Sequence, residues 1–298
     1  MPQTAVADSD TGLTLKQLAE RHGLTSAGAL PSLPAYTRQL WSYRHFISSY
    51  ANAKITSSLG KTRLGMVWQL LTPLMNAAVY YLIFGLILNT GRGVENFIPY
   101  LCTGVFLFGF TQSVLSAGTT AITGNLGLIR ALHFPRASLP IAVVLTELRN
   151  MLAAMVVLCT IVLVSGEPLT LEWLLIVPTL LLMSVFNAGL AMAGARLGSK
   201  FTDIRQLIPF FTRFWMYGSA VLYPVTRFEQ ALSGWPLLVV KANPLLIYIE
   251  LMRHALMENV PLASPVWLLW IQAVAWAVLV GLAGYVYFWR GEKGYGRG

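Results

Sequence analysis

Charge is scarce in this chain: of 298 residues only 11% are Asp, Glu, Lys or Arg, while 56% are hydrophobic. Soluble domains carry about one quarter charged residues, so this composition excludes an ordinary soluble protein and selects a membrane one. Cysteine is nearly absent, and Cys102 and Cys159 both lie in apolar runs, which excludes a disulfide framework and a CxxC metal site. The twelve acidic residues are scattered and the four histidines isolated, so the gathered acids, histidines or nucleophile of a membrane-embedded transferase or phosphatase are missing. Glu250, Arg253 and His254 read as a surface ion pair on a short helix rather than half a metal site. A phosphate-binding loop is missing too: "SLGKT" ends in Gly-Lys-Thr, but the glycine required five residues before Gly60 is Ile55. The tail "GEKGYGRG" has no helix after it to hold phosphate and reads as a flexible basic end. The chain is therefore expected to be no enzyme and to hold no cofactor or metal itself. A signal peptide is lacking, since Asp8 and Asp10 stand where positive charge belongs. Residues 1–35 are expected to be a retained, flexible cytoplasmic N-terminus.

Long apolar runs are what the sequence has. A bilayer core of about 30 Å needs roughly 20 apolar residues in a helix, and six such runs occur, near 65–88, 98–122, 139–164, 172–195, 206–224 and 265–289. Fifteen of the 21 Lys and Arg fall in 1–63, 123–138, 196–205 and 290–298, and four in the alternate connections. Positive charge marks the cytoplasmic side, so both termini are expected there. The net charge of +9 comes from residues flanking apolar runs, which points to anionic lipid and not to nucleic acid.

Two connections are not simple loops. In 36–63, Leu40, Tyr43, Ile47 and Tyr50 recur at helical spacing beside Arg38, Arg44 and Lys54, with Trp41 as an interface residue. This predicts an amphipathic helix lying on the inner leaflet. The outer segment 225–264 holds "GWPLLVV" and "NPLLIYIELM", each too short to span, which predicts a re-entrant or interfacial helical pair. Within the spans, Glu147, Arg149 and Arg213 are costly and need partners or a wet cavity. Glu147 and Arg213 fall at similar depth and are expected to pair or to line a pathway. Tyr80, Tyr81, Phe84, Phe214, Trp215 and Tyr217 lie deep in the first and fifth spans, where a ring serves helix packing or a stacking face for sugar.

The stretches "RLGMVWQLLTPLMNAAVYYLIFG", "LIRALHFPRASLP", "DIRQLIPFFTRFWMYGSAVLYPV" and "NPLLIYIELMR" occur in this order over nearly the whole chain after residue 36. In them the chain resembles the membrane subunit of the ABC-2 family of bacterial cell-surface polymer exporters, which includes teichoic acid, O-antigen and capsule polysaccharide permeases. The Leu-Gly-Met-Val-Trp start leans toward the teichoic acid branch. The resemblance implies an all-α membrane protein of six spans per subunit, in a 64–289 transmembrane domain in the bacterial inner membrane. It further implies a homodimer bound to two copies of a cytoplasmic ATPase that carries the ATP and Mg. A lipid-linked glycopolymer would pass between the permease copies. Gly127, Leu128, Arg130, Leu132, Phe134, Pro135 and Arg136 would couple to the ATPase, and Trp41, Tyr43, Arg44 and Lys54 would belong to an interfacial gate helix. Residues 227–257 would form external gates, and the deep aromatics would line the channel. The alternative within the superfamily is a drug or small-lipid exporter; a passive channel would need no coupling partner.

Overall fold

The computed structural model describes residues 31–60, 65–88, 93–201 and 203–295, and every regular element among them is helical. In chain order these are α1 (Leu33–Ser42), α2 (Arg44–Gly60), α3 (Gly65–Tyr80) continued by a π-helical stretch (Tyr81–Ile87), α4 (Phe97–Thr119), α5 (Leu126–Ala131) and α6 (Ser138–Val164). They continue with α7 (Ile176–Lys200), α8 (Ile204–Gly218), α9 (Thr226–Ala231), α10 (Trp235–Lys241), α11 (Pro244–Leu256) and α12 (Val266–Trp289).

α4 is apolar on all sides and is accordingly the hub, buried along most of its length against α3, α6, α7, α8 and α11. α12 lies along α7 at backbone contact. A Cβ on Gly189 would stand 2.1 Å from the Val280 carbonyl oxygen, and one on Gly284 2.1 Å from that of Gly189. Between apolar helices in lipid, association rests on close packing, which small residues permit. Gly189→Val is expected to push the helices apart and lower stability by about 3 kcal/mol, read as thermal unfolding in detergent. Gly124→Ala, where a Cβ meets nothing within 4 Å, is the neutral control.

Four helical segments are long and apolar enough to cross a membrane: Phe97–Thr119, Ser138–Val164, Leu171–Lys200 and Val266–Trp289. They coincide with the second, third, fourth and sixth runs of the sequence. The first run is helical through Gly65–Ile87, but its apolar helix is only Leu74–Ile87. The fifth run departs most. α8 has 15 residues, about 22 Å at 1.5 Å per residue and short of a bilayer core. Its Pro209 removes a backbone hydrogen bond inside the helix, and Ala220, at φ 49°, turns the chain away after Gly218. The residues beyond are apolar enough to extend the run but are not helical. Residues 225–264 hold short helices: α10 and α11 meet at a bend of 59°, where the Asn243 side chain accepts from the Leu245 N–H at 3.1 Å and caps α11.

The single amphipathic helix expected over 36–63 is two helices, α1 and α2, joined at Tyr43, and Lys61 to Arg63 lie outside the described residues. Its apolar stripe is turned to the protein: Ile47 and Ala51 are buried with Ala142 of α6. Trp41, 72% exposed, carries the outward face with Arg44 over its ring at 5.7 Å. Periodicity finds an apolar face but not what covers it, and α6 covers this one.

Candidate functional site

At the end of the bundle where α6 begins, residues 127–136 are seated on two other pieces of the chain. The Phe134 ring lies 5.1 Å from that of Phe46 on α2. The Tyr43 hydroxyl donates to the His133 carbonyl at 3.1 Å and the Tyr50 hydroxyl to Asn125 Oδ1 at 2.5 Å. The chain after α12 holds the other side. Glu292 accepts from the Arg136 N–H at 2.9 Å and from the Tyr36 hydroxyl at 2.8 Å. Tyr36 in turn accepts from the Ala137 N–H at 3.1 Å. The Arg136 guanidinium donates to the Glu292 carbonyl oxygen, and Tyr295 folds back to stack on Phe288 at 4.6 Å.

This arrangement sorts the residues that the sequence places at an ATPase contact. Gly127, Arg130 and Leu132 are exposed, Leu132 to 50%; Leu128 and Phe134 are half-buried and Pro135 is buried. Arg136 is engaged by its own chain. The tail read as flexible is ordered through Tyr295, and Gly296 to Gly298 lie outside the described residues. Glycine richness hid Glu292, whose partners are all more than a hundred residues away.

Burial pushes the Glu292 carboxyl above the ordinary carboxylate range, although the Arg136 N–H, the Tyr36 hydroxyl and the Arg136 charge pull it down. An acid raised on folding is stabilised in its neutral form. Its contribution is fully present below the unfolded pKa and is lost as pH rises through the folded one. The difference in melting temperature between wild type and Glu292→Ala is therefore expected to widen as pH falls from about 8 to about 5, measured by thermal unfolding in detergent.

Midway along the bundle, α3, α4 and α6, with Met216 of α8, line a half-open cavity of 380 Å³. Its wall includes Thr72, Asn76 and Tyr80, four apart on one face of α3, with Gln112 of α4 and Glu147 and Asn150 of α6. Asn150 Nδ2 donates to Glu147 at 3.2 Å, and Gln112 Nε2 to Thr212 Oγ1 at 3.4 Å. The Glu147–Arg213 pair expected from depth does not form: Glu147 faces the cavity and Arg213 is exposed on α8. Equal depth placed them level but said nothing of helix rotation. Arg149 reaches α2 instead, donating to Asn52 Oδ1 at 2.6 Å and Ser48 Oγ at 2.9 Å. Lys54 is exposed on the same helix.

Of the deep aromatics, only Tyr80 lines the cavity. Phe214, 78% exposed, and Tyr217, 43% exposed, stand on the outer face of α8 with Phe210 and Phe211. Trp215 turns inward, its Nε1–H donating to Asn243 Oδ1 at 3.0 Å and its ring 6.4 Å from Phe186. Tyr81 leans on Phe97 at 6.4 Å, and Phe84 on Tyr80 at the same distance.

At the other end of the bundle a buried arginine replaces the expected surface pair. Arg253 is wholly buried and donates to the carbonyls of Tyr100, Ala220 and Val221 at 3.2, 3.1 and 3.0 Å. Its guanidinium lies 3.4 Å from the Tyr100 ring centroid. Glu250 is buried one turn earlier and accepts from the Ala263 N–H at 2.9 Å, while His254 stands 3.9 Å from Glu172. Sequence reasoning missed the clamp because its acceptors are backbone atoms of α4 and of the turn after α8. The signal was an arginine inside the apolar run "NPLLIYIELMR". Among the described residues no group of three His, Cys, Asp or Glu could hold a metal ion.

Known proteins resemble this chain over the same region. It is 24% identical over 193 residues to the O-antigen export system permease protein RfbA of Myxococcus xanthus, covering 65% of this chain and 74% of that protein. It is 26% identical over 197 residues to the protein of the same name from Klebsiella pneumoniae, covering 66% and 74%. To the polysialic acid transport protein KpsM of Escherichia coli it is 26% identical over 207 residues, covering 69% and 79%. The ABC-2 type transporter family matches residues 48–257, a stretch that takes in the cavity, the 127–136 segment and the Arg253 clamp, and the chain belongs to this family of membrane proteins.

Proposed function

We propose that this chain is the membrane subunit of an ATP-driven exporter that moves a cell-envelope polysaccharide outward across the bacterial inner membrane. One observation carries the reading. The chain presents a short helix, α5, with Gly127, Arg130 and Leu132 at its exposed face, followed by residues 133–137 braced from behind by the α1–α2 segment and the tail, and has no nucleotide motif of its own. A braced surface of this kind transmits force from another subunit. The RfbA proteins are named for O-antigen export and KpsM for polysialic acid transport, which supports polysaccharide as the cargo class. The leaning to teichoic acid rests on the Leu64–Trp68 stretch alone, since the relatives named above are O-antigen export and polysialic acid transport proteins.

In the finer reading two copies of this chain and two ATPase subunits form the exporter. Each permease copy crosses the membrane six times with both termini cytoplasmic, α3 serving as the first span and α8 with its following turn as the fifth. The outer faces of α3 and α8, with Phe214 and Tyr217, meet their counterparts around the path of a lipid-linked polymer. The exposed apolar side chains of α8 support this, since they suit a partner or lipid and not water. Deleting the gene is expected to remove surface polysaccharide and leave lipid-linked polymer inside the cell, scored by surface staining and lipid extraction. Unchanged surface polysaccharide would favour the drug or small-lipid exporter instead.

A further inference from the structure

We infer that the cavity between α3, α4, α6 and α8 is a binding site for an uncharged sugar residue, held by Asn76, Gln112, Glu147 and Asn150 and covered by Tyr80. The inference rests on the exporter reading and adds to it where and by which chemistry the cargo is held. Gln112 lies seven residues from the end of α4 and Glu147 nine from the start of α6, about 10 and 13 Å along the helices. At that depth in a bilayer polar groups are costly unless they meet a polar ligand or water; Glu147 and Asn150 are half-buried, and Asn76 and Gln112 stand exposed at the cavity's opening, where a ligand can reach all four. The cavity's 380 Å³ lies within the range of small-molecule sites, about 300–1,000 Å³.

The chemistry of the wall selects the ligand. Amides donate and accept, a carboxylate accepts twice, the Tyr80 hydroxyl does both, and Thr72 Oγ1, which donates to the Trp68 carbonyl at 2.8 Å, accepts. That inventory suits neighbouring hydroxyls on a ring, with Phe106 and Phe108 supplying apolar wall. Among the described residues no Lys or Arg lines the cavity, so phosphate or carboxylate would find no charge-assisted donor among them and would face the Glu147 carboxylate. Lys54 and Arg213 stand near Glu147 and Tyr80 without reaching the wall. The site is also separate from the exposed face of α8, because Phe210, Phe214 and Tyr217 do not line it.

The test uses the purified full-length chain and saturation-transfer NMR, with a panel of neutral hexose and N-acetylhexosamine tetrasaccharides and a sialic acid tetramer as anionic comparison. At least one neutral member is expected to bind and the sialic acid tetramer is not. Glu147→Ala and Asn150→Ala are expected to weaken binding by about tenfold or more, as loss of a charge-assisted hydrogen bond does. Glu147→Gln, which keeps the shape and an acceptor, is expected to stay within severalfold of wild type. No binding by any neutral member, equal binding of the sialic acid tetramer, or indifference to Glu147→Ala would overturn the site. Equal loss in Glu147→Gln and Glu147→Ala, with wild type responding to sodium or tetramethylammonium alone, would make it a cation site and overturn it too. The exporter reading is judged separately: if gene deletion removes surface polysaccharide it stands whatever the cavity does, and if deletion leaves surface polysaccharide intact both readings fall.

Discussion

Arg253→Ala is expected to lower stability by about 3–5 kcal/mol, on the scale of a buried charge network broken from one side. Three carbonyls, those of Tyr100, Ala220 and Val221, lose this donor at once; Tyr100 keeps its helical partner inside α4, while each acceptor orphaned in the turn costs about 1–3 kcal/mol. Two of the three belong to the turn after α8, where Ala220 holds a left-handed backbone that costs a non-glycine residue about 1 kcal/mol or more. The guanidinium therefore ties α11 to α4 and holds that turn shut. Lysine is expected not to rescue, because its point-like ammonium cannot reproduce a planar fork reaching three carbonyls. Glu250→Gln should be milder, since an amide can still accept from Ala263. Thermal unfolding in detergent and yield from membranes measure both variants. An Arg253→Ala protein that melts within a degree or two of wild type would remove the clamp from the account.

Leu132→Asp is expected to break association with the ATPase subunit, by about 2 kcal/mol or more and thus roughly thirtyfold in Kd. Leu132 is 50% exposed at the end of α5, on the face proposed to meet the ATPase. Arg136→Glu should fail differently. It sets a carboxylate against Glu292, so it lowers the protein's own melting temperature as well as partner binding. Co-purification of the ATPase, read beside thermal unfolding of the permease alone, separates the two. Loss of association with unchanged stability is expected for Leu132→Asp only, and normal co-purification of that variant would move the contact elsewhere.

Element type was largely legible in the residues. Four apolar runs became the four long helices, and Pro and Gly breaks placed the short helices α10 and α11 correctly. Less was legible where the chain departs from a straight helix. Pro209 and the turn at Ala220 cut the fifth run short, because hydropathy sums side chains and is blind to backbone conformation. The charged residues were legible as expensive but not as partnered. Glu147 and Arg213 sit level yet face apart, Arg149 reaches α2, and Arg253 binds backbone oxygens that no side-chain pattern announces.

The sequence by itself determined the solvent of this protein and its helical class. Those follow from local properties: apolar run length and the spacing of breaks. Only the tertiary structure decided that Glu292 braces Arg136 through its backbone N–H, that the stripe of α1 and α2 faces α6, and that α3, α4, α6 and α8 converge on a half-open cavity with Glu147 in its wall. Each joins groups distant in the chain, and the rotation of a helix about its axis is set by what it packs against.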